Sequence, residues 1–136
     1  MMIKLSIALF FWVLAGFCKG IMDTLQFHYA KSSFADRDPL FWNPKESWKN
    51  KYKNGDPDQG PKFPLSTTWL VFLTDAWHLF QAVMLAGYRT VLVLLASLFF
   101  ELDLWIWAGI WIGLSLVFSS GFHLSYTLLF KRKAPH

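Results

Sequence analysis

The sequence predicts an all-α fold: a helical integral membrane bundle of three transmembrane helices, with four as the alternative, joined by a structured interfacial connector. Three observations carry this. First, 54 % of the 136 residues are apolar and 19 % are aromatic, more than a soluble domain of this size can hide, because small domains bury only part of their chain. Second, the apolar residues fall into long, almost uncharged runs, 1–22, 66–100 and 104–130, and roughly 18–20 such residues cross a bilayer core. Third, most Lys and Arg lie in the middle segment or in the tail Lys131, Arg132, Lys133. That is the distribution expected of membrane orientation and of attraction to anionic headgroups.

The first region, 1–27, is predicted to be a helix from about Ile3 to Met22, continuing toward His28. Lys4, an apolar run and then small residues also give it the layout of a signal sequence, with cleavage after Gly16 or Gly20 as the competing reading. Phe17 before Cys18 departs from a lipoprotein signal, which takes a small residue there. The run is long enough to remain as a span, and Gly16 and Gly20 stand at a spacing that allows close helix contact.

The connector, 28–65, is basic and aromatic. Asn43-Pro44-Lys45-Glu46 reads as a helix start, with Asn43 as cap, Pro44 at the first position and Glu46 closing a capping box. The helix so begun runs to about Tyr52. Trp48 and Tyr52 share one face and Lys45 and Lys49 another, an arrangement suited to a membrane interface. Asn54 to Pro61 is a run of turn formers. Asp56-x-Asp58 resembles the opening of a calcium loop, but the later ligands and closing glutamate are missing.

Ser66, Thr67 and Thr68 are predicted to cap the next helix. The region 66–101 has 36 residues, or about 54 Å of helix, too long for one perpendicular span. It is either one long helix starting in the interface or two spans turning at Gly87-Tyr88-Arg89. The last helix is expected over 104–130, with Gly109 and Gly113 as a further close-contact face, followed by the basic tail 131–136. The connector carries Lys31, Arg37, Lys45, Lys49, Lys51, Lys53 and Lys62, and the tail three more cations. The positive-inside rule places both in the cytoplasm. That requires an even number of crossings between them, hence three spans with Glu101 and Asp103 at the outer turn.

With three spans, the polar residues of the apolar runs gather on one side: Asp23, His28, Asp75, His78, His123 and Tyr126. Asp75 and His78 are about 60° apart on one helix, and such polar positions face a protein interior or a cleft. Asp75, His78 and His123 are therefore the candidate catalytic residues. The same three with His28 and Asp23 supply ligand types for a divalent metal cofactor, although His28 is about 140° from Asp23 on a regular helix. The competing reading is structural, with Asp75 and His78 tying the connector to the helices. Haem ligation by these His residues is a weaker alternative. No Gly-rich phosphate loop or nucleophile elbow is present. No nucleic-acid module accompanies the positive charge. One cysteine excludes an internal disulfide. Trp69, Trp77, Trp105, Trp107 and Trp111 are expected to anchor the interface and to pack.

Phe41-Trp42-Asn43-Pro44, the stretch from Ser47 to Pro57, and Leu73-Thr74-Asp75-Ala76-Trp77-His78 together resemble a set of small membrane proteins of Bacteroidota-type bacteria. The resemblance covers roughly the middle half of the chain. It implies a bacterial inner membrane, multi-pass location, and it carries no activity or functional residues with it. The expected function is a small membrane scaffold or subunit. It would contact membrane lipids, another membrane protein or a second copy through the cytoplasmic connector. The alternative is a small membrane enzyme acting on a lipid or isoprenoid at the cytoplasmic interface. A pore would require an oligomer.

Overall fold

A computed structural model describes residues 1–124, with the side chain of His123 outside the description. The expected continuation of the last helix to Phe130, Tyr126 and the basic tail lie outside the described residues. Among those described there is no strand. The elements are α1 (Met2–His28), a single turn α2 (Pro39–Trp42), a series of 3-10 turns through the connector, α3 (Ala76–Ala96) and α4 (Leu104–His123). α1, α3 and α4 are long and apolar enough to cross a membrane. They leave large apolar side chains exposed along their length, among them Phe10, Trp12, Leu92, Trp105, Ile112 and Val117. Contiguous exposure of this kind fits hydrocarbon surroundings and not water.

The described residues form two compact units, one of Leu9–Tyr88 and one of Met1–Ala8 with the described residues from Arg89 on. In the first unit, α1 buries Ala15, Cys18, Met22 and Leu25, a 3-4-3 spacing that lines one face of the helix. Gly87 of α3 lies against this face. A Cβ there would stand 3.2 Å from the Phe11 carbonyl oxygen and 3.5 Å from Ala15 Cβ. The Tyr88 ring lies 5.5 Å from Trp12. Early α1 thus meets late α3, and the pair is antiparallel. Among the described residues, the close contact expected at Gly16 and Gly20 is not made there. A Cβ at either position, or at Gly109 or Gly113, meets nothing within 4 Å.

In the second unit, Val91 and Val93 are buried and Lys4 Nζ donates to the Ser97 carbonyl at 2.8 Å. Trp111 Nε1 donates to Thr90 Oγ1 at 3.4 Å. Asp103 caps α4, its carboxylate accepting from the Ile106 N–H at 2.9 Å.

Three local expectations are corrected. Ser66, Thr67 and Thr68 do not start α3. The Ser66 hydroxyl donates instead to the Lys51 carbonyl at 2.7 Å, and the helix begins nine residues past Thr67, at Ala76. α3 does not turn at Gly87-Tyr88-Arg89 but continues through it to Ala96. Asn43 does not start an α-helix. Its side chain accepts from the Lys45 N–H at 3.1 Å and donates to Glu46 Oε1 at 3.1 Å, but the chain then winds into a 3-10 segment, Ser47–Lys51. The α-helical turn comes earlier, at α2, where Asp38 is the cap. The chain leaves helical geometry at Tyr52, which is held extended against Pro61.

Candidate functional site

The connector end of the α1–α3 pair is where polar groups converge. Asp75 precedes α3 and is its cap: Oδ1 accepts from the His78 N–H at 2.9 Å. A carboxylate suits this position because it satisfies a free helix N–H and meets the positive end of the helix dipole. The other oxygen, Oδ2, lies 2.7 Å from His78 Nδ1. The three-residue spacing read from the sequence is what permits both bonds at once. The Asp75 side chain is 4 % exposed and that of His78 is 39 % exposed, so the carboxylate is sealed while the ring remains reachable. A neutral ring that donates from Nδ1 to Oδ2 would keep an accepting lone pair at Nε2.

The connector is clamped to the residue before the cap. Asn50 Nδ2 donates to the Thr74 carbonyl at 2.6 Å, and Lys62 Nζ donates to Asn50 Oδ1 at 2.6 Å. Paired backbone at Tyr52 and Pro61 and left-handed turns at Asn54, Gly55 and Gly60 close the loop on itself. A cleft of about 310 Å³ opens at the Asp75–His78 pair, lined by Gln26, Pro44, Ser47, Trp48, Asp75, Trp77 and His78. A larger groove of about 690 Å³ shares Gln26 and Pro44 with it and runs past His28, Lys31 and Lys45.

The sequence-derived candidates are therefore only partly united. Asp75 and His78 meet. Asp23 is paired with Lys19 one turn earlier on α1, in an exposed ion pair. His28 ends α1 and lines the larger groove. His123 ends α4, with its side chain outside the description. Among the described residues, no three His, Cys, Asp or Glu side chains form a metal-holding group. Of the expected metal set of Asp75, His78, His123, His28 and Asp23, the described side chains that meet are Asp75 and His78, and both oxygens of that carboxylate are engaged. Gln26, Ser47 and Asn50 belong to the site and were not singled out from the sequence. Asn50 bonds to a carbonyl 24 positions away, which no local pattern signals.

Fold and site together define an all-α, multi-pass membrane protein with an ordered polar connector. Comparisons with protein-family models, with curated proteins and with solved structures give no match.

Proposed function

We propose that the protein is a small membrane scaffold of the bacterial inner membrane whose cytoplasmic connector holds anionic lipid headgroups. The observation that carries this reading is the groove at the end of α1, where Lys31, Lys45 and His28 line one concavity. It adjoins a helix end on which Phe27 is exposed. The connector also pairs cations with rings. Lys49 lies 5.7 Å from the Trp48 ring, Lys51 5.4 Å from Tyr52 and Arg37 5.0 Å from Trp42. Such pairs suit the headgroup layer, where a ring rests in the apolar boundary and a cation meets phosphate. Local placement matters more than total charge, because Asp36, Asp38, Glu46, Asp56 and Asp58 offset most of the connector's seven cations. Native mass spectrometry of protein extracted from mixed phosphatidylglycerol and phosphatidylcholine vesicles tests the reading. Retained phosphatidylglycerol should fall in Lys31→Ala/Lys45→Ala, whereas equal retention of both lipids by the wild type would reject it.

A second reading, a membrane enzyme acting on a lipid or isoprenoid, is favoured by the Asp75–His78 contact. A buried carboxylate that fixes a reachable imidazole prepares Nε2 to accept a proton from a water or hydroxyl in the cleft. Turnover of a lipid extract by the purified protein, lost in His78→Ala and retained in Lys31→Ala/Lys45→Ala, would favour this reading over the first.

A further inference from the structure

Arg89 lies within α3, seven residues before its end at Ala96. Its guanidinium is 5.4 Å from the Trp111 ring and 5.7 Å from the Phe118 ring of α4. Those rings are seven positions apart, about 10.5 Å along the helix. A group within reach of both stands roughly level with the middle of the 20-residue α4.

A guanidinium carries five N–H donors, and rings accept only through their faces. Among the described residues no carboxylate pairs with Arg89 and no hydrogen-bond acceptor meets it. α3 and α4 contain no Asp or Glu, and none occurs from Leu104 to the end of the sequence. The single acid of α1, Asp23, is paired with Lys19. The described residues packed around it therefore supply no counter-charge, and the residue is only half-buried, so one side is open. An unpaired cation at mid-span is costly, and intramembrane cations are retained where they meet a partner.

We propose that Arg89 is the docking point for a transmembrane helix of another protein that carries an Asp or Glu near its centre. Depth separates this occupant from a phospholipid, whose phosphate stays near the bilayer surface. Composition separates it from a second copy, whose α3 and α4 bring no carboxylate and whose one α1 acid, Asp23, is already paired with Lys19. The site is distinct from the connector groove and does not rest on the headgroup reading.

The test uses fluorophore-labelled full-length protein in phosphatidylcholine bilayers and measures energy transfer to labelled oligo-leucine transmembrane peptides with one central Glu or one central Gln. The wild type should prefer the Glu peptide by roughly threefold to thirtyfold, the range polar contacts between membrane helices give. Arg89→Gln should erase the preference and Arg89→Lys should keep most of it, which guards against a merely misfolded variant. Equal binding of both peptides by the wild type, or a preference that survives in Arg89→Gln, would overturn the proposal. Loss of the preference on adding phosphatidylglycerol would also overturn it, by making a lipid phosphate the occupant.

Discussion

Asp75 holds His78 twice, accepting from its backbone N–H at 2.9 Å with one carboxylate oxygen and standing 2.7 Å from its Nδ1 with the other. One acid therefore starts a membrane helix and orients the only imidazole on it.

The two roles separate by substitution. Asp75→Ala removes both and should cost roughly 1–3 kcal/mol, a lost cap together with a lost partner. Asp75→Asn keeps a good cap and should cost less. His78→Ala leaves the cap in place and should be milder still. Thermal unfolding in detergent ranks the three variants. An Asp75→Asn loss as large as that of Asp75→Ala would mean that the charge, not the cap, carries the stability.

Gly87 is the close-contact glycine of the α1–α3 pair. Gly87→Leu forces atoms into the Phe11 carbonyl and Ala15 and should cost roughly 1–3 kcal/mol. Gly16→Leu and Gly20→Leu meet open space and should leave the unfolding temperature nearly unchanged. The reverse order would contradict the packing of α1 on α3.

These two sites show where the sequence is legible. Long uncharged runs reveal the three span-length helices because length and hydropathy are properties of a segment alone. The Asp75–His78 pair is visible for the same reason, since a cap and the residue three positions on are neighbours by geometry. The start of α3 is not visible. Ser66, Thr67 and Thr68 have good capping chemistry, but Ser66 is spent on the Lys51 carbonyl, a tertiary partner. Gly87 read as a turn and Gly16 as a contact because glycine serves both purposes, and only the facing helix decides between them.

Asn50 carries the clamp between connector and helix. Asn50→Ala leaves the Thr74 carbonyl and the Lys62 ammonium without their bonds and should loosen the connector by about 1–3 kcal/mol. Amide exchange measured by mass spectrometry should accelerate across residues 47–66 while the centres of α1 and α3 stay protected. Unchanged exchange there would show that the loop is held by other contacts.

The most direct test of the membrane architecture asks whether α3 crosses the bilayer. The connector precedes this helix and the turn containing Glu101 lies after it. Single cysteines at Lys53→Cys and Glu101→Cys, in a Cys18→Ala background, are offered a membrane-impermeant maleimide outside intact bacterial cells. A crossing α3 with a cytoplasmic connector predicts labelling at position 101 and none at 53 until the cells are opened. Labelling of both, or of neither, would contradict a membrane-crossing α3.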